Sequence, residues 1–129
     1  MYFRNRNHQA IFNQITNRFA RRDKAKMAVL YLLTADIRLW RASKPHVQGQ
    51  IHLERIRLGT VNEKTYILIC CAKELIHGTS FLTIADFADI ELISPNLYAI
   101  IITAISIYRY GIENKKLKNR EDENDKTNA

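Results

Sequence analysis

Apolar residues recur every three or four positions along most of the chain, which is the spacing of one face of an α-helix. The first such stripe predicts a helix over residues 7–21. Asn5 or Asn7 can cap its start, because an asparagine side chain accepts from the free N–H groups there. The stripe consists of Ile11, Phe12, Ile15 and Phe19. A different face of the same predicted helix carries Gln14, Arg18 and Arg21.

Two further helices are predicted before the first proline. One covers residues 24–33 with Asp23 as its N-cap, and it is apolar nearly all round towards its C-terminal end. The next covers residues 35–42, with Thr34 as its cap. This third helix is expected to direct Ile37, Leu39 and Trp40 inward and Arg38 and Arg41 outward. Pro45 ends the block, since proline lacks the N–H of a helical ladder.

The segment 46–60 follows a different pattern. In "HVQGQIHLERIRLGT" apolar and polar residues alternate and then slip in phase. Alternation is typical of a half-buried strand. The pattern therefore favours either a short β-ribbon or an irregular loop.

A long helix is predicted over residues 62–77, with Asn62 as its N-cap and Gly78 as its C-terminal glycine. Its apolar residues cover most of its circumference. They are Ile67, Leu68, Cys70, Cys71, Leu75 and Ile76. We therefore expect this helix to form the centre of the core, together with a helix over residues 95–110.

The last two helices have clear start signals. "TIAD" at residues 83–86 has the spacing of a capping box and predicts a short helix over residues 84–91. Ser94 followed by Pro95 predicts the start of the final helix, with serine as cap and proline at the first helical position. Gly111 is expected to end it.

These elements predict a mainly α-helical, compact single domain of five or six helices over residues 1–112. Residues 113–129 are almost all polar or charged and predict a flexible tail, because they lack apolar groups that would offset the entropy of ordering. The chain of 129 residues is long enough to fold without disulfides or metals. Cys70 and Cys71 lie in an apolar run and are expected to be buried thiols.

Several features predict a cytoplasmic protein with no membrane partner. The N-terminus lacks the apolar core of a signal peptide. The longest apolar stretch, residues 97–108, is shorter than the about 20 residues that cross a bilayer. Two adjacent cysteines in an apolar run fit a reducing compartment.

The positive charge is concentrated in the first half of the chain. The net charge is +7. Residues 1–60 hold twelve Lys and Arg against three Asp and Glu, an excess of +9, whereas residues 61–112 carry −2 and residues 113–129 are neutral. Charge this uneven indicates a surface that attracts anions.

Seven cations of the first three predicted helices are the candidate binding residues, because helices joined by short connections lie side by side. They are Arg18, Arg21, Arg22, Lys24, Lys26, Arg38 and Arg41. One interpretation is a single basic surface for phosphates or acidic groups. The other is the solvated face of an ordinary helical protein. Trp40 leaves a similar choice between a core anchor and an aromatic group on that surface.

No catalytic signature is present in the sequence, which has neither a glycine-rich phosphate loop nor a His-Glu-x-x-His or Cys-x-x-Cys motif. Most acids fall at predicted helix starts, where capping explains them. A metal site from His46 and His52 would need a turn to bring the two together, and His8 is expected to be a cap-region or packing residue. We therefore expect a non-enzymatic protein without cofactor or metal.

Two stretches resemble a family of small proteins of unknown function that are encoded by phages and conjugative elements of low-GC Gram-positive bacteria. The first is "YFRNRNHQAIFNQITNRFARRDKAKMAVLYLLTAD", with a phenylalanine, an HxxxF helix (His8 and Phe12) and a helix ending near Asp36. The second is "TIADFADIELISPNLYAIIITAISIYRYG", a short helix followed by a long one that ends in Arg-Tyr. The segment 46–60 departs from the family, being basic where the family is acidic.

The resemblance implies an accessory protein of a mobile element, and it brings no catalytic residues. We expect a protein that binds and interferes with a host protein or protein–nucleic-acid machine, as counter-defence inhibitors of CRISPR nucleases do. The alternative is a small regulator or packaging protein that binds DNA or RNA directly. The second predicted helix is too apolar to lie in a groove as a recognition helix would, which favours the first function. A scaffold or homo-oligomer subunit is the third.

Overall fold

The computed structural model describes residues 1–60 and 62–112, and six α-helices account for most of them. They are α1 (Arg6–Thr16), α2 (Lys24–Thr34), α3 (Ile37–Ser43), α4 (Glu63–His77), α5 (Ile84–Ala88) and α6 (Pro95–Tyr110). The predicted mainly helical fold is confirmed. The tail predicted over residues 113–129 lies outside the described residues.

Local capping sets most of the helix starts where the sequence predicts them. Four cap side chains each accept a hydrogen bond from the backbone N–H three residues further along the chain. They are Asn5, Asp23, Asn62 and Ser94. Thr83 and Asp86 form both halves of the predicted capping box. Gly78 ends α4 at φ 69°, a left-handed conformation that favours glycine.

The prediction that the first helix reaches residue 21 is wrong, because α1 ends at Thr16. The Thr16 hydroxyl donates back to the Phe12 carbonyl at 2.8 Å. The N–H groups of Arg18 and Phe19 then bond carbonyls three residues back rather than four, which tightens the chain into turns. Arg18 and Arg21 therefore lie in the connection between α1 and α2.

The predicted start of the third helix is also wrong. Asp36, rather than Thr34, is the N-cap, and its Oδ1 accepts two backbone N–H groups of the first turn at 3.0 Å each. The Thr34 hydroxyl instead donates to the Leu30 carbonyl at 2.7 Å. α3 therefore begins at Ile37, whose side chain is 48% exposed rather than directed inward.

The centre of the core is α2, which corrects the prediction that α4 and α6 form it. Every residue from Met27 to Thr34 is buried, and α2 packs against α1, α3, α4 and α6. A helix that is apolar on all sides needs neighbours on all sides. Ile76, expected inside, is 38% exposed, and α5 ends at Ala88 rather than near residue 91.

The segment 46–60 contains a short antiparallel ribbon, which was one of its two predicted structures. β1 (Val47–Gln48) pairs with β2 (Gln50–Ile51), and Gly49 makes the turn at φ 83°. Val47 and Leu53 are buried and anchor the segment in the core.

Cys70 and Cys71 are buried free thiols, as predicted. Burial, together with the nearby charges of Glu74 and Cys70, raises the pKa of the Cys71 thiol to about 12. The thiolate is the reactive form of cysteine, so Cys71 is unreactive at neutral pH.

We expect Cys71→Ser to lower the free energy of unfolding by about 1–3 kcal/mol, because it replaces a weakly polar thiol with a more polar hydroxyl in the core. Urea denaturation measures this loss, and Cys71→Ala is the control without the hydroxyl. Native protein should also react slowly with a thiol reagent. Labelling of both cysteines as fast as in urea would contradict the burial.

Candidate anion-binding cleft

A cleft lies between α1 and α3, which both pack on α2. Two hollows lie along it, with Ile11 in the lining of both, and they are called the two halves of the cleft. The narrower half, with a volume of about 130 Å³, lies at the start of both helices. The wider half, with a volume of about 240 Å³, lies at their ends. The cleft is therefore a groove along two neighbouring helices.

The wider half combines an apolar floor with a basic rim. Its lining consists of Ile11, Gln14, Ile15, Arg18, Trp40 and Lys44. Ile15 and Trp40 are buried, whereas Gln14, Arg18 and Lys44 are exposed. Such a groove can take an acidic group on its rim while the carbon atoms that carry it contact the floor.

Trp40 lies at the boundary between the core and the cleft. Its side chain is buried in the core cluster at 6% exposure, and it also lines the wider half of the cleft. So little exposed surface leaves no open ring face on which a nucleic-acid base would stack. Trp40 is therefore a core anchor whose edge forms part of the cleft floor.

His8 is the buried residue that holds the narrower half together. Its Nε2 donates to the Tyr31 carbonyl at 2.8 Å, and its Nδ1 accepts the Arg4 backbone N–H at 3.0 Å. The ring packs on Phe3 and Tyr31, with centroid distances of 5.2 and 4.6 Å. Burial, reinforced by the Arg4 charge, lowers the pKa of His8 to about 4 although the bond to the Tyr31 carbonyl opposes the shift. His8 is therefore neutral at pH 7, and the packing role expected for it is confirmed.

Arg4 ties the N-terminal segment to the corner between α2 and α3. Its guanidinium donates to the Ala35 carbonyl at 3.1 Å and to Asp36 Oδ2 at 3.3 Å. The same Asp36 carboxylate caps α3 through its other oxygen. Because Arg4 and Asp36 offset each other, the excess positive charge of the cleft lies in its wider half.

The seven candidate cations lie in different places. Arg18 lines the cleft, and Arg38 and Arg41 are exposed on α3. Arg21 and Arg22 are exposed in the connection between α1 and α2. Because Arg18 lines the wider half together with Trp40 and Lys44, it lies near the C-terminal end of α3, the end that carries Arg41.

The two lysines of the set lie elsewhere. The Lys24 side chain packs beside Gly111 at the end of α6. Its Cγ lies 3.6 Å from the position that a Cβ atom on Gly111 would occupy. Lys26 Nζ lies 3.8 Å from Asp23 Oδ2 and 5.8 Å from the centre of the Phe19 ring. Lys24 and Lys26 therefore contact groups outside the cleft.

Lys44 is the cleft residue that sequence reasoning missed. Lys44 is the C-cap of α3 and follows Arg41 by three positions, so both lie on one side of this helix end. This spacing is the signal in the sequence that groups Lys44 with the other cations of α3. Pro45, which is typical of the end of a helix, conceals this signal. The chain instead continues from α3 into a 3₁₀ turn, Lys44–His46.

Neither a metal centre nor a membrane span is found in residues 1–60 and 62–112. No three His, Cys, Asp or Glu side chains there converge to hold a metal ion, and the His52 ring lies 3.3 Å from Glu54. No helix in these ranges is both long and apolar enough to cross a bilayer. Comparison of the chain with protein-family models, curated proteins and solved structures finds no match.

Proposed function

We propose that this chain is a non-catalytic binding protein that holds an acidic surface of a partner protein or protein–nucleic-acid complex in the wider half of the α1–α3 cleft. The observation that carries the proposal is the convergence of Arg18 and Lys44 on one apolar-floored groove. The groove lies in the half of the chain that carries a +9 excess. Long-range attraction speeds encounter with an acidic partner.

A partner that contains protein is favoured over bare nucleic acid. A recognition helix must project into the major groove, but the whole of α2 from Met27 onward is buried. α1 has only 11 residues and packs its apolar side on α2. Trp40 offers too little surface for base stacking. Direct binding to DNA or RNA phosphates is the second candidate, and exposed Arg21 and Arg22 favour it.

The biological setting of the proposal comes from the resemblance to phage and mobile-element proteins. It supports a partner in a bacterial host cytoplasm and a binding event that blocks that partner, as counter-defence inhibitors do. The residues that support it lie in the two resembling stretches, 2–36 and 83–111. The first stretch contains α1 and Arg18, which follows it. The resemblance and the cleft therefore involve the same part of the chain.

The proposal is tested with three labelled probes: a polyglutamate peptide, a random-sequence DNA duplex and a single-stranded RNA. Their affinities are measured by fluorescence anisotropy. Arg18→Glu with Lys44→Glu should weaken binding by about tenfold or more, because the rim changes sign. The matched control, Arg55→Glu with Lys73→Glu, makes the same change in net charge at residues that do not line the cleft.

The outcomes separate the candidates. Loss of binding in the cleft variant alone supports the cleft. An equal loss in both variants would show that net charge alone matters and would overturn the proposal. Tightest binding to the DNA duplex, with log affinity falling against log salt by about 0.9 per phosphate contacted, would favour the second candidate.

A further inference from the structure

The solvent side of α6 carries a stripe of apolar side chains. Tyr98, Ile102, Ile105 and Tyr108 are 47%, 41%, 42% and 43% exposed. They follow one another at steps of three or four residues, so they lie along one side of the helix. Contiguous apolar patches of this kind on a folded protein mark interaction surfaces.

The stripe continues onto the segment that precedes α6. Ile84 and Ile90 are 88% and 69% exposed. Phe87 links Ile90 to α6, because it lines one hollow with Ile90 and Tyr98 and a second hollow with Ile105. Ile84 precedes Phe87 by three positions on α5 and so lies on the same side of that helix. These residues together are called the α6 face below.

The size of the α6 face suits a protein partner. If a whole large side chain presents roughly 200 Å², the exposed fractions of the six isoleucines and tyrosines correspond to about 650 Å². A standard interface takes about 800 Å² from each partner. Exposed atoms of the flanking residues Phe87 and Pro95 would supply much of the area that separates these two values.

The charged groups near the α6 face lie at its ends, which leaves its middle apolar for an antiparallel pair. Arg109 is the only charged residue of α6 and lies at its C-terminal end, whereas Glu91 shortly precedes its N-terminal end. If two copies cross at Ile102 around a two-fold axis, Arg109 of one copy lies opposite Pro95 of the second, at the rim of the contact. A two-fold contact also uses the same patch on both copies, as the commonest homodimers do.

Other occupants fit the α6 face less well. The chain beyond Glu113 reads "NKKLKNREDENDKTNA" and offers one large apolar residue, Leu117, which is too few apolar groups to match this face. A helix that lies on an anionic membrane carries a row of cations beside its apolar side, and α6 has only Arg109. We propose that the α6 face is the contact of a symmetric homodimer in which two α6 helices pack antiparallel across Ile102.

Sedimentation equilibrium of the full chain at micromolar concentration tests the proposal. The expected mass is twice the 15.1 kDa of one chain. Ile102→Glu should give a monomer with an unchanged helical circular dichroism spectrum, because Ile102 is already partly exposed. The matched control is Tyr66→Glu on α4, at a residue that is 56% exposed, and it should remain dimeric.

Two further variants probe the antiparallel register. Ile102→Cys should form a disulfide-linked dimer on mild oxidation, whereas the native thiols are buried. Arg109→Glu, at the rim of the contact, should change the affinity of the dimer by no more than about fivefold. A monomer at all concentrations, a dimer that survives Ile102→Glu, or a monomer that binds phosphatidylglycerol vesicles through Ile102 would overturn the proposal.

Discussion

Phe12→Ala should lower the free energy of unfolding by about 3–5 kcal/mol, the usual cost of removing a large buried aromatic side chain. Phe12 is 1% exposed. Its ring lies 5.7 Å from the ring of Phe3 and 5.8 Å from that of Tyr31, measured between centroids. This cluster holds α1 on α2, and α1 is one wall of the cleft.

Urea denaturation of Phe12→Ala and of a matched control measures the effect. The control is Phe81→Ala, the same change at a side chain that is 43% exposed. It should change the free energy of unfolding by about 0.5 kcal/mol or less. Similar losses in both variants would contradict the description of Phe12 as the residue that fixes α1.

Acid should destabilise the protein through His8 by about 3 kcal/mol. The pKa of His8 is about 4 in the folded protein, against 6.5 for a free imidazole. As the pH falls below about 6.5, the His8 imidazole of the unfolded chain becomes protonated while that of the folded chain stays neutral. Stability is therefore lost between about pH 6.5 and pH 4, and His8 contributes no further loss below that window.

The free energy of unfolding measured across this window tests the effect, with His8→Gln as the control. The variant should be less stable at pH 7, because glutamine cannot reproduce both ring hydrogen bonds, and its stability should depend less on pH. NMR titration of the His8 ring gives the pKa directly. A midpoint near 6.5 in the folded protein would show that the ring is not buried as described.

The parts of the fold that depend on local hydrogen bonds could be predicted from the sequence. Asn62 and the Thr83–Asp86 capping box each satisfy N–H groups within three residues, so a short stretch contains all the information. The cap of α3 could not be chosen in this way, because Thr34 and Asp36 are both good caps. In the structure Asp36 is the cap, and it also pairs with Arg4, which lies 32 positions away in the chain. A local pattern does not contain that contact.

Burial was harder to predict, because apolar periodicity shows which face of a helix is hidden but not what covers it. α4 and α6 are long and apolar, yet the shorter α2 is central. The burial of His8 has a signal in the sequence, since His8 precedes Phe12 by four positions and so shares its buried face. The cleft itself arises from two helices that are separated in the chain by α2, and no local pattern encodes that.

The most direct test of the cleft is the fluorescence of Trp40, the only tryptophan of the chain. Because its side chain lines the wider half, a ligand that enters there changes its surroundings. Polyglutamate should change the Trp40 emission of the wild-type protein with the same Kd that anisotropy gives, and it should leave the Arg18→Glu, Lys44→Glu variant unchanged. Binding by anisotropy without any change in Trp40 emission would place the partner elsewhere on the protein and contradict the proposed function.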